Sequence, residues 1–220
     1  MFDHFGVIMK ENYCTIRQPG NFSQIIKKSE FICSITRCQS EKEALDFIAQ
    51  VSNQHNKARH NCFAFMVGLN DQIQRASDNG EPSGTAGIPI LNALKQNHLH
   101  NVVAVVTRYF GGIKLGTGGL IRAYNGTTAE TIRQIGIVER IGMNEVQFQV
   151  EYSNFEKVKY YLKQHDIQLA STDYATKITL TVLLPHAEIG HFEDALQNFL
   201  GVQLSFTIGK ESYADQPVEK

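Results

Sequence analysis

The chain has little of what usually announces a metal, a cofactor or a membrane. Its four cysteines, Cys14, Cys33, Cys38 and Cys62, stand at irregular spacings with no CxxC pair. They read as small buried hydrophobes rather than a ligand set or a disulfide frame, and a reduced, cytoplasmic protein is expected. No apolar run approaches the ~18 residues of a membrane span. The opening residues, MFDHFGVIMK, have no basic segment, so no signal peptide is expected, and either Met1 or Met9 fits as the start. None of the eight histidines forms a His-x-x-x-His pair beside a suitable carboxylate, so no metal site and no resident cofactor are expected. The nucleophile-elbow pattern G-x-S-x-G is missing, as are both phosphate-binding signatures, G-x-x-x-x-G-K-[ST] and G-x-G-x-x-G. A Ser83, His60, Asp78 triad can be assembled only on paper.

What is present is an ordinary globular composition, with 220 residues, 42% hydrophobic and 20% charged, enough for one large domain or two small ones. Net charge is −1 but uneven. Through Val138 there are 14 Lys and Arg against 10 Asp and Glu, a net +4; beyond it, 7 against 12 leave −5. A nucleic-acid partner should therefore meet the first half.

The chain is organised around residues 102–130, VVAVVTRYFGGIKLGTGGLIRAYNGTTAE. Val102 to Val106 read as a strand buried on both faces. Arg108 ends it, glycines 111, 112, 116, 118 and 119 follow, and Ile121, Tyr124, Thr128, Ile132 and Ile135 then recur at helical spacing. A strand, glycine loop and helix can hold an anion, because first-turn N–H groups point outward and the helix dipole favours negative charge. The same glycines also suit a tight turn under a packed helix. Arg108, at a buried strand end, should meet either a protein carboxylate (Asp78 or Glu81) or an outside anion. The aromatics Tyr109, Phe110 and Tyr124 are candidates to stack on bases, or simply core.

Before this stretch, residues 13–37 read as strands with a turn at 19–21, and Lys27 to Glu30 as turn or exposed strand. Ser40 with Glu43 makes a capping box, opening a helix whose face carries Ala44, Ile48, Val51 and His55. Residues 56–61 read as a polar loop, CFAFMVGL as a buried strand and IQRAS as its hairpin partner. SDNGEPSGTAG is a second polar loop feeding a helix, with Ser83 or Thr85 as its cap. Beyond Val138 the pattern reads β-α-β-β-α-β, the ferredoxin-like order, and residues 211–220 read as a flexible tail.

ARHNCFAF at 58–65, DNGEPSGTAGIPIL at 78–91 and VVTRYFGGIKLGTGGLIRAY at 105–124 together resemble the Impact/YigZ family, and the second half resembles its small DUF1949-type C-terminal domain. The resemblance implies an α+β chain: a domain with the fold of ribosomal protein S5 domain 2 over residues 1–138, then a ferredoxin-like βαββαβ domain over 139–210. Eukaryotic members regulate translation by blocking activation of the kinase of general amino-acid control, partly through an additional N-terminal RWD domain. No stretch here resembles that domain, and that activity is not expected to transfer. The resemblance brings no catalytic assignment.

The reading taken forward is a non-catalytic, translation-associated regulator binding a phosphate-bearing partner, RNA or nucleotide, between the 78–87 and 111–119 loops. Its anion-binding candidates are Arg108, Lys114, Gly116, Gly118, Gly119 and Arg122; the flanking cleft candidates are His60, Asp78, Glu81, Ser83 and Thr85. The rival is an enzyme acting on a small phosphorylated or carboxylated substrate, with Asp78 or Glu81 as base and Arg108 as anion clamp. A module that binds only protein is a third reading.

Overall fold

A computed structural model describes residues 12–218; the question of Met1 or Met9 lies outside them. Two compact units are present, Tyr13–Arg140 with the chain from Asp215, and Ile141–Ala214.

The first unit is built on a sheet of order β2-β3-β6-β4-β5: β2 Gly20–Ile26, β3 Ser29–Arg37, β4 His60–Val67, β5 Ile73–Ser77 and β6 Val102–Tyr109. Every pairing is antiparallel, yet the central strand β6 is buried on both faces. Val102, Ala104 and Val106 pack under helices α2 (Gly87–Gln96) and α3 (Thr117–Ile135), with Phe31, Cys33, Cys62, Leu94 and Tyr124. Val103 faces the other way, toward α1 (Glu41–Gln54), with Ala44, Phe65 and Val67. The strand β1 (Tyr13–Ile16) pairs with the first residues of β7 (Ile137–Val150).

Local chemistry accounts for most element ends. Ser40 caps α1 by accepting from Glu43 N, and the Glu43 carboxylate accepts from Gln39 N. At the start of α2 neither Ser83 nor Thr85 serves. The N-cap is Ala86, which has no side-chain acceptor, and Asp78 caps the helix from six or more residues away. The helix face expected on α3 is inward at Tyr124, Thr128 and Ile132, while Ile121 is exposed. Residues 60 and 61, expected in a loop, open β4 instead.

In the second unit, strict alternation along β7 sends Val146, Phe148 and Val150 to the core opposite Val182, Leu180 and Ile178 of β9 (Ile178–Pro185). Gln147 and Gln149 face solvent. Strand β8 (Gln168–Tyr174) pairs β9, and β10 (Phe206–Pro217) pairs β7, giving the order β10-β7-β9-β8. Helices α4 (Tyr152–Gln164) and α5 (Ile189–Leu200) close the core with Val158, Leu162, Phe192 and Leu196. This is the ferredoxin-like βαββαβ arrangement. Residues 211–217, expected to fray, continue β10. Asp215 holds that end through ion pairs to Arg37 (2.6 Å) and Arg140 (3.1 Å).

Candidate functional site

Arg108 shares a sheet face with Val102, Ala104 and Val106, so its side chain emerges beneath α3. There it meets Glu81: Nη1 donates to Oε1 at 2.7 Å, with the two side chains only 7% and 4% exposed. The same carboxylate oxygen accepts from the Tyr124 hydroxyl at 2.8 Å. Tyr124 in turn lies 3.4 Å from the Cys62 thiol, which donates to the main-chain oxygen of Asp78 at 2.8 Å. The guanidinium lies over the rings of both Phe31 (5.4 Å) and Phe110 (5.5 Å), and Ser29 Oγ lies 3.4 Å from Nη2. Its Nε has no partner among the described residues.

This chain of groups consumes the residues from which a catalytic centre would be built. Arg108 meets a protein carboxylate, the first of the two outcomes open for a buried strand end. Asp78 accepts from Gly84 N (2.8 Å), Ala86 N (2.9 Å) and Gly87 N (2.9 Å). Burial works to raise its pKa, but the three backbone donors outweigh it and hold the carboxyl below its ordinary value. Burial, above all, pushes the Cys62 thiol up to about 12 and lifts the Tyr124 phenol well above its usual range. Neither is a ready nucleophile or proton donor near neutral pH. His60 lies opposite Arg108 in the β4–β6 register and its Nδ1 is 3.0 Å from Asn79 O. Thr85 Oγ1 donates to Pro82 O, and Ser83 is exposed.

The remaining candidates lie apart, in the open. The N-cap of α3 is Gly116, with no side-chain acceptor. The first main-chain bond of the helix is Leu120 N to Gly116 O, 2.9 Å, which leaves the amides of Thr117, Gly118 and Gly119 pointing outward. Beside them a cleft of about 180 Å³ is lined by Ile26, Lys27, Leu115, Gly119, Arg122 and Ala123. Lys27 and Lys28 form the two-residue β2–β3 turn, both at positive φ (45° and 65°). Hairpin turns of that kind are usually Asn-Gly or Asp-Gly. Two adjacent exposed lysines there concentrate charge at a conformational cost. Lys114 is exposed one residue before Leu115. Among the described residues, Lys27, Lys28, Lys114 and Arg122 form no ion pair.

The glycines divide in the same way. A Cβ on Gly111 would sit 1.8 Å from Lys28 O, so this position exists to let the loop lie against the β2–β3 turn. Gly116 needs its φ of 75° to enter the helix. Gly118 has neither reason: its φ is ordinary and the nearest atom to an added Cβ is Arg122 Nη1 at 3.5 Å.

Sequence reasoning gathered Arg108 and Lys114 into one cleft, whereas the structure separates a buried network from a basic rim. It passed over Lys27 and Lys28 as site residues. Their signal was on the page, since a Lys-Lys pair between two alternating runs is a turn without the usual turn residues. No group of three or more His, Cys, Asp or Glu side chains is placed to share a metal ion among the described residues.

Residues 27–132 match the Impact N-terminal domain, and residues 148–201 match a domain of unknown function, DUF1949. The chain is 38% identical over 210 residues to the IMPACT family member YvyE of Bacillus subtilis, covering 96% of this chain and 97% of that one. It is 36% identical over 191 residues to the IMPACT family member YigZ of Escherichia coli, covering 86% and 94%. A crystal structure described as that of a hypothetical protein aligns at TM-score 0.59 and 33% identity, covering 93% of this chain and 100% of that one.

Proposed function

The chain belongs to the IMPACT family, and from that premise we propose that it is a non-catalytic, translation-associated regulator whose first unit binds RNA through its phosphates. The observation that carries the reading is a basic cleft at an uncapped helix start: Lys27 and Arg122, which form no ion pair among the described residues, line it together with Gly119, and the exposed Lys28 and Lys114 adjoin its lining residues Lys27 and Leu115 in the chain. Cations supply charge and the helix end supplies directed donors, a combination suited to a phosphate. Gly118, with only the tip of the Arg122 side chain nearby, allows close approach. A cleft of about 180 Å³ is smaller than the ~300 Å³ at which pockets begin to enclose small molecules. It suits one phosphate of a polymer better than a whole nucleotide. The positive balance of this half of the chain adds steering.

The enzymatic alternative draws no support from the geometry. Its base, Asp78, is spent on three amides, and its clamp, Arg108, on Glu81.

The test is binding of a labelled single-stranded RNA, followed by fluorescence anisotropy across a salt series. Four phosphate contacts predict a slope of log K against log salt of about −2.8, hence about a 50-fold loss between 50 and 200 mM. Replacing Lys27 and Lys28 together by alanine should reduce the slope by about 1.4. Binding that ignores salt, or a double variant with an unchanged slope, would sink the reading.

A further inference from the structure

Near the basic rim stands a large ring that the fold leaves more than half exposed. Phe110 is 54% exposed, at the junction between β6 and the glycine loop. Its placement is fixed rather than loose. One residue on, Gly111 N donates to Ser29 Oγ (3.2 Å), and Gly111 lies so close to the Lys28 backbone that no side chain fits. The backbone next to the ring is thereby held against the Lys27–Lys28 turn. Its inner face lies over the Arg108 guanidinium at 5.5 Å. That cation is immobilised by Glu81 and backed by Phe31, whose ring meets Tyr124 edge-on at 5.3 Å. Phe110, Arg108, Phe31 and Tyr124 thus form a chain of contacts that runs from an exposed ring to buried ones.

We infer that the outer face of Phe110 is a stacking platform for a nucleobase, and that the RNA taken by this surface is single-stranded. This rests on the phosphate-binding reading above. A fixed aromatic ring flanked by backbone-tracking cations is the pairing by which proteins hold single strands without reading sequence. A duplex offers the cations as much phosphate but keeps its base faces stacked inside, out of reach of Phe110. The buried guanidinium draws electron density from one face of the ring, which favours an electron-rich purine on the other. The Arg108–Glu81 pair then acts at a distance from the ligand: it is the support under the platform.

Three probes of equal length separate the contributions: a labelled ten-nucleotide oligoadenylate, the same phosphodiester chain without bases, and a ten-base-pair RNA duplex. The wild-type protein should prefer oligoadenylate over the abasic chain by between about fivefold and 150-fold, the range that one stacked base contributes. Phe110→Ala should erase that preference while leaving the salt slope unchanged; an exposed ring can be removed without unfolding the unit. Phe110→Trp should restore it. Because the chain has no tryptophan of its own, that variant also carries a single fluorophore. Oligoadenylate should quench it and the abasic chain should not. Equal affinity of the wild type for oligoadenylate and the abasic chain, with a steep salt slope, would overturn the platform and leave the phosphate site standing. So would a Phe110→Ala variant that keeps the preference. If none of the three probes binds at low salt, both readings fall together.

Discussion

Removing the charge of Glu81 should cost the first unit about 3–5 kcal/mol, the usual penalty for leaving one member of a buried ion pair uncompensated. The magnitude follows from the surroundings. Arg108 and Glu81 side chains are 7% and 4% exposed, so water cannot replace a lost partner. Glu81→Gln is the informative change, because glutamine keeps the shape and an oxygen to accept from Tyr124 while removing the charge. At about 4 °C per kcal/mol for a domain of this size, the loss is about 12–20 °C in melting temperature. Arg108→Met should be damaging on its own for the converse reason, stranding Glu81. The double variant should recover much of the loss, since a buried pair replaced by apolar or neutral groups is often near neutral. A coupling energy of at least about 2 kcal/mol is expected from the cycle.

The chain has two compact units, and a single melt need not report on one of them. Hydrogen exchange resolved by peptide separates them: protection should fall in β4, β6 and α3 and be unchanged in α4 and α5. Glu81→Gln costing under about 1 kcal/mol, with additive effects in the cycle, would refute the claim that the pair is buried and structural. Arg108 would then be free to meet an outside anion.

Other consequences can be checked independently. Asp78→Ala strips the cap from α2 and leaves the buried amides of Ala86 and Gly87 without an acceptor; a loss of about 2–4 kcal/mol is expected in urea unfolding. Because the folded-state pKa of Asp78 is lowered, its contribution is present above the unfolded-state value and fades as pH falls through the folded one. An acid titration of stability should therefore be flatter in Asp78→Asn than in the wild type. Gly111→Ala, forced to 1.8 Å from Lys28 O, must displace the β2–β3 turn and should destabilise by about 2 kcal/mol or more. Gly118→Ala points the opposite way: stability should hold or rise by up to about 1 kcal/mol, while RNA affinity drops as the methyl group blocks the phosphate. If Gly118→Ala binds RNA like the wild type, the glycine is not there for a ligand.

Elements declared themselves in the sequence where a local pattern met a matching environment. Period-two alternation gave β7 and its partner β9, the Ser40–Glu43 box gave the start of α1, and the run Val102–Val106 gave a strand covered on both sides. The misplaced features depended on residues distant in sequence. Asp78 caps α2 from across a turn, so no reading of the residues next to the helix finds it; Ser83 and Thr85 were the natural local choices. The end of β10 is held by Asp215 reaching Arg37 and Arg140, partners 178 and 75 positions away that composition cannot supply.

The candidate site was legible as chemistry but not as geometry. A strand end, five glycines and three cations, Arg108, Lys114 and Arg122, were read as one region. Which cation would be spent inside depended on the parity of β6. Arg108 shares its face with Val102, Ala104 and Val106 and goes under α3, whereas Lys114, beyond the strand, obeys no such rule. That two-residue periodicity divides the region into a buried ion pair and an open rim. It also explains why a charge inside the fold and a ring outside it fall into contact. Arg108 and Phe110 are two apart at the end of the strand and project to the same side, so the cation spent on Glu81 inside the fold still lies against the exposed ring.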